Sequence, residues 1–299
     1  MKRKNPKRAA LLALTAMIAA SWALPAAAQQ DIDVSRELNA DGKLWVENIS
    51  GSVIVSGWDR SEVRIEGKLG EGSDRLDVDG NEKRLKVKVI LPHKARNVRG
   101  SHLEIRMPMD AVLYVSTVSA DIEVTDLRGE IHLQSVSGNI GAQTAATEFE
   151  AESVSGDLEL FLDCEDIQVD TVSGDVGLES KKIATLEINT VSGDAEIFVE
   201  RVERFGFNSV SGDLGYMGRI EERGRLNSQS GDLELIFPGG ADAEFEISTF
   251  SGDIECSFGP KPKKSNRFNI SKSLEFTAGG GKASIDIESF SGDITLQEK

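Results

Sequence analysis

Ser153-Val154-Ser155-Gly156-Asp157-Leu158 is followed one period later by Thr171-Val172-Ser173-Gly174-Asp175-Val176, and the phrase returns around Gly193, Gly212, Gly231, Gly252 and Gly292. Looser copies stand at Gly138 (Ser-Gly-Asn), Ala120 (Ser-Ala-Asp) and Gly51 (Ser-Gly-Ser). A phrase that recurs at a fixed interval is one structural unit copied many times. From Ala120 to Gly138, Gly156 and Gly174 the step is 18; to Gly193, Gly212 and Gly231 it is 19; to Gly252 it is 21. The 40 residues from Gly252 to Gly292 leave room for one more copy. Asn269–Leu274 are its candidate, with Lys272 in the glycine's place.

The unit has an internal grammar. Two and four residues after the glycine the chain is apolar: Leu158 and Leu160, Ile254 and Cys256, Ile294 and Leu296. Five and seven residues before it the chain is apolar again: Val169 and Ile167, Phe207 and Phe205, Ile287 and Ile285. Alternation with period two is the signature of a strand with one buried face. The parity flips across the glycine, so the chain turns a corner there and both flanking strands face one core. Two architectures fit: a meander of hairpins with Gly-Asp at each tip, or a β-solenoid whose like corners stack. Hairpins prefer the order Asn-Gly or Asp-Gly. Near-invariance of the tetrapeptide favours stacking, because corners ~4.8 Å apart must pack on one another. The expected fold is all-β: a β-solenoid (β-helix) of 18–21-residue coils, with Gly51, Gly138, Gly156, Gly174, Gly193, Gly212, Gly231, Gly252 and Gly292 as structural corners.

Residues 1–28 read as a secretory signal peptide: Lys2, Arg3, Lys4, Lys7 and Arg8, then the apolar run Leu11–Leu24, then Ala26-Ala27-Ala28 as a cleavage site. The processed protein is expected to keep no transmembrane anchor and to be exported, to the periplasm or the cell surface of a bacterium. The chain carries 34 basic and 50 acidic residues, net −16; without the five basic residues of the leader, 29 face 50, a formal −21. Such acidity disfavours nucleic acid and anionic lipid as partners. Two basic runs stand out, Lys83–Arg106 and Lys261–Arg267, and both read as solvated segments. Cys164 and Cys256 fall in coils too far apart for a disulfide.

Leu44, Val46, Ser50, Gly51, Val53 and Val55 repeat the grammar early, and the next corner, Ala120, comes 69 positions after Gly51, with other alternating strands between. Residues 29–112 are therefore expected to form a β-rich N-terminal cap and 113–299 the regular solenoid. The final coil, ending at Lys299, is expected to be the open end of the stack, shielded by the loop 260–267 or docked on a partner.

With Val53-Ile54-Val55-Ser56-Gly57-Trp58-Asp59, a strand ending in Met107-Pro108, and the Ser-x-Ser-Gly-Asp coils after it, the chain resembles the bacterial "putative adhesin" domain family of unknown function. The resemblance covers nearly all of the mature chain. It implies an exported β-solenoid of the cell envelope.

The sequence offers no catalytic constellation. His93, His102 and His132 lie in no metal-ligand spacing and neighbour no nucleophile motif. The aspartates Asp157, Asp175, Asp194, Asp213, Asp232 and Asp253, with Asp293, form a ladder that could bind Ca²⁺, since stacked carboxylates repel and a divalent ion relieves that. The simpler reading has each Asp bonding corner amides; the G-G-x-G-x-D nonapeptide of calcium-binding β-rolls is absent. The expected function is therefore a non-enzymatic, adhesin-like binding or scaffold protein of the envelope, with no cofactor and an envelope protein or glycan as partner. Its alternatives are a polysaccharide-processing β-helix enzyme and a Ca²⁺-binding repeat protein.

Overall fold

The computed structural model describes residues 30–92, 98–264 and 271–299. The leader, His93, Lys94, Arg96, Arg267 and the start of the Asn269–Leu274 segment lie outside the described residues. The described residues form strands and no helix, so among them no helix is long and apolar enough to cross a membrane. Strands before and after each corner pair in parallel with the same positions of the neighbouring copy: Leu158 with Val176, Val176 with Ala195, Ala195 with Leu214 on one face. On the other face Val169 pairs with Ile188, Ile188 with Phe207 and Phe207 with Leu226. The parallel register excludes the hairpin meander and makes the fold β-solenoid-like. Each copy is a rung, named below by its corner residue. The period-two apolar residues of both faces point inward and form one continuous core, from Ile32 to Leu296.

The first rung is unlike the rest. Lys43–Trp58 runs through its corner as a single strand, as Val112–Thr125 does, but its corner residue Gly51 alone among the corners has a positive φ, +110°. It pairs in parallel with Val112–Thr125 on one side and with Arg84–Ile90 and Ser101–Pro108 on the other. Antiparallel strands continue outward. Glu62–Leu69 pairs with both Ser101–Pro108 and Gln30–Glu37, and Arg75–Asn81 pairs with Arg84–Ile90. This antiparallel edge covers backbone groups that a bare rung would expose.

At the other end the structure overturns the expected order. The Gly292 rung is not last in the stack. Ser284–Ser289 pairs with Arg223–Ser228 of the Gly231 rung, and Ile294–Glu298 pairs with Leu233–Phe237 of the same rung. Its opposite edges pair with Ala243–Thr249 and Ile254–Cys256 of the Gly252 rung. The spatial order is therefore Gly212, Gly231, Gly292, Gly252: the C-terminal rung is inserted between two earlier ones. Pro238–Asp242 steps over its slot, with Gly239 and Gly240 at positive φ. The Lys299 carbonyl accepts from Gly239 N at 2.8 Å and fastens the chain end to that loop.

Nor is Lys272 the corner of a missing copy. Lys272–Ala278 is a strand that runs antiparallel along the outer edge of Ala243–Thr249, with Lys263–Lys264 beside it. The stack thus ends on the Gly252 rung and this antiparallel strand. The reason lies in the strand's own residues: without the Ser-Gly-Asp set the segment cannot turn the tight corner, so it caps an edge instead.

Cys164 is buried, Cys256 half-buried, and both are free. Burial pushes the Cys164 thiol up to about 12. Tyr216 sits in the core against Phe205, ring centroids 4.9 Å apart, and its buried hydroxyl has no hydrogen-bond partner. A buried, unpaired hydroxyl costs ~1–3 kcal/mol. Tyr216→Phe removes it at nearly constant shape, so a rise in stability of about 1 kcal/mol is expected in urea unfolding; a loss would show that the hydroxyl has a partner in solution.

Candidate functional face

Each tight corner is closed from inside. The residue three before the glycine is a buried Ser or Thr whose hydroxyl accepts from the glycine N–H and donates to its carbonyl, except at Gly252, where Thr249 donates to the Gly292 carbonyl at 3.3 Å. Ser153 does so at 3.0 and 2.8 Å, and Thr190 at 2.9 and 3.0 Å. In the first rung Asn48 takes that place, its amide donating to Ser101 O at 3.0 Å. A Cβ on Gly156, Gly174, Gly193, Gly212 or Gly231 would overlap the carbonyl oxygen of the corner glycine one rung earlier. The same overlap awaits Gly138 against Ala120, Gly292 against Gly231 and Gly252 against Gly292. The absence of a side chain is what lets rungs approach to strand spacing.

The aspartate ladder has a structural use. The Oδ1 of each Asp accepts from the backbone N–H of the equivalent residue one rung on: Asp157 from Asp175, Asp175 from Asp194, Asp194 from Asp213, Asp213 from Asp232. It then follows the spatial order, Asp232 from Asp293 and Asp293 from Asp253. Asp253 has no further rung to serve, and the Lys272 ammonium meets its carboxylate. The lysine where a glycine was expected thus closes the ladder's open end. Among the described residues no three His, Cys, Asp or Glu side chains cluster as a metal site. His102 pairs with Ser52 Oγ at 2.9 Å and His132 Nδ1 with Glu150 at 2.6 Å, far apart along the chain and serving different rungs.

The outer surface before the corner carries three rows. Two residues before the corner, Ile49, Val118, Val136, Val154, Val172, Val191, Val210, Phe290 and Phe250 are all exposed. Gln229 interrupts them once, between Val210 and Phe290. Phe290 and Phe250 stack at 5.0 Å. The result is a single-file apolar ridge along the stack, with exposed surface on the order of 500 Å², near the top of the range for the largest patch on a monomer.

The next row, four before the corner, is polar, and its later members are chained. Asn189 donates to Asp170 at 2.8 Å, Asn208 to Asn189 at 2.8 Å and Asn227 to Asn208 at 2.9 Å. Between ridge and polar row runs a groove, about 530 Å³ from Ser116 to Val191 and about 390 Å³ more from Asn227 to Lys272. The third row begins as an aromatic ladder. Trp45, Tyr114 and His132 stack at 5.0 and 4.6 Å with nearly parallel planes. Further along this row, burial and then the neighbouring Asp170 charge raise the Glu187 carboxyl, while Asn208 bonds to it. At the start of the polar row, hydrogen bonds from Lys86 and Lys88 hold Glu47 below the ordinary carboxylate range.

The larger concavity, about 1010 Å³, lies at the opposite edge around Phe161, Lys181 and Phe198. Its lining mixes Glu179, Lys181 and Glu200 without a repeated row. The ridge was the feature missed from sequence. Its signal was present: these positions have outward parity yet keep an apolar residue in nearly every copy.

The family model described as Toastrack DUF4097 matches residues 46–297. No curated protein matches the chain. Among solved structures, a "putative lipid binding protein" from Parabacteroides distasonis is similar, with a TM-score of 0.50 and 13% identity over 89% of this chain and 96% of that one. A "putative adhesin" from Parabacteroides merdae has a TM-score of 0.46 and 11% identity over 90% and 96%. Another from Bacteroides fragilis has 0.42 and 13% over 91% and 99%. At 13% identity the first likeness is one of fold alone.

Proposed function

The chain belongs to the Toastrack DUF4097 family, and from that premise we propose that it is a non-enzymatic, adhesin-like binding protein of the bacterial envelope that engages its partner lengthwise along the stack. The observation that carries this reading is the apolar ridge. Nine rungs keep an exposed aliphatic or Phe side chain where the fold needs none inside. Exposed apolar surface in a file broken only at Gln229 marks an interaction surface. The basic, apolar and small-residue segments of residues 1–28 support export. Against an enzyme stands the regularity of the carboxylates: every ladder Asp except Asp253 at the end of the stack is engaged by its neighbour's backbone in the same way, whereas catalysis needs a local exception. The same bonds support the structural reading of Asp157, Asp175, Asp194, Asp213 and Asp232 over a Ca²⁺ site, and the Lys272 ammonium does so for Asp253.

The test is binding of the purified mature protein to isolated envelope fragments. Val154→Asn with Val172→Asn breaks the middle of the ridge at exposed positions, so folding should persist. An affinity loss of at least about tenfold, with an unchanged melting curve, is expected. Envelope binding equal to the parent's would remove the ridge from the function.

A further inference from the structure

We infer that the groove between the apolar ridge and the polar row binds a linear β-1,4-linked N-acetylhexosamine chain. This rests on the reading of the ridge as the binding face and names its ligand class. The groove runs across the strands, so its features repeat once per rung, ~4.8 Å apart. Two rungs span ~9.6 Å, about the length of a disaccharide. In a β-1,4 chain successive sugars are flipped, so the substituents facing one side recur once per disaccharide. A polymer with that repeat stays close to register over the five rungs from Ser116 to Val191, about two disaccharides.

The two walls match the acetamido group. Val154, Val172 and Val191 offer apolar contact for its methyl; Asp170 offers an acceptor for its N–H, and the Asn189 amide, held between Asp170 and Asn208, keeps one hydrogen to donate to its C=O. The chaining of these amides fixes their orientation, so little side-chain freedom is lost on binding.

Other occupants fit worse. The ladder aspartates lie beyond the ridge, and Glu152, Asp170 and Glu288 lie along the polar row. Acidic polymers and anionic lipid would meet these carboxylates, and a second copy would bring its own set against them. A strand-forming peptide finds no free backbone edge in the groove, because the strands beneath it are paired on both sides. Face-on sugar stacking on Tyr114 is also blocked, since Trp45 and His132 cover its two faces. The contact is therefore apolar ridge plus amide row.

Titration calorimetry of the mature protein with chitohexaose, cellohexaose and an oligogalacturonate tests this. Chitohexaose is expected to bind at least about tenfold more tightly than cellohexaose, which has the same linkage without acetamido groups, and the oligogalacturonate not at all. Val154→Asn with Val172→Asn, and separately Asn189→Leu, should each weaken chitohexaose by about tenfold or more with the fold retained by circular dichroism. Absence of chitohexaose binding at millimolar concentration, equal binding of cellohexaose, or affinities within twofold in both variants would overturn the inference. Ridge-dependent binding to envelope fragments without chitohexaose binding would defeat this ligand class and leave the broader reading standing.

Discussion

Gly292→Val is expected to cost as much stability as Gly193→Val, about 3 kcal/mol or more at each site. Under a stack in sequence order Gly292 would belong to the terminal rung, which could lift away from the new side chain. In the observed order it is clamped. A Cβ on Gly292 overlaps the Gly231 carbonyl, as one on Gly193 overlaps that of Gly174. On its far side Asp293 Oδ1 accepts from Asp253 N at 2.7 Å, so the rung has a neighbour to lose whichever way it moves. Gly177→Ala is the control, because a Cβ there meets nothing nearer than Leu158 O at 3.8 Å. It should change stability by no more than about 0.5 kcal/mol. Urea unfolding of the three variants decides the matter. A cost at Gly292 less than half of that at Gly193 would contradict the inserted rung.

Deleting residues 282–299 should have the largest effect of all. The segment supplies Ala283, Ile285, Ile287, Ile294 and Leu296 to the core, all buried. Their burial is worth roughly 10 kcal/mol. Its loss also strands backbone edges on both sides: Arg223–Ser228 and Leu233–Phe237 above, Ala243–Thr249 and Ile254–Cys256 below. Trimming a true end would leave one edge bare; removing an internal rung leaves two. The Gly252 rung cannot simply close the gap, because Pro238–Asp242 is laid out to cross the slot and the outer strand Lys272–Ala278 is tied to Ala243–Thr249. We expect the truncated chain to melt more than ten degrees lower and to be cut by protease within residues 238–281. A near-parental melting curve would mean that the two rungs pair directly.

These two experiments bear on the place where reading the chain in order failed. The repeat, its period, the inward parity on both sides of the glycine and the parallel stacking are all legible locally. Each rung carries the same demands: a hydroxyl at Ser153 or Thr190 to close the corner, no side chain at Gly156 or Gly193, and a carboxylate at Asp157 or Asp194 to hold the next rung. A requirement met by residues within one copy leaves its mark in that copy. The outward apolar row was equally visible in Val136, Val154 and Val172, because side-chain parity on a strand is fixed by the backbone.

The order of rungs is different in kind. Because every rung presents the same edges, the Gly231 rung can accept the Gly252 rung or the Gly292 rung with the same ladder of bonds, and local chemistry does not distinguish them. What distinguishes them is global: a loop at Pro238–Asp242 that steps over one rung, a strand at Lys272–Ala278 without the corner residues, and a chain end that closes the remaining gap. The same holds for Lys272, whose use against Asp253 exists only because the Gly252 rung is the last. The sequence by itself determined the rung and its two faces, since those follow from residue spacing on a strand. Only the tertiary structure decided which rung lies next to which, because identical edges make that choice depend on the whole chain's connections.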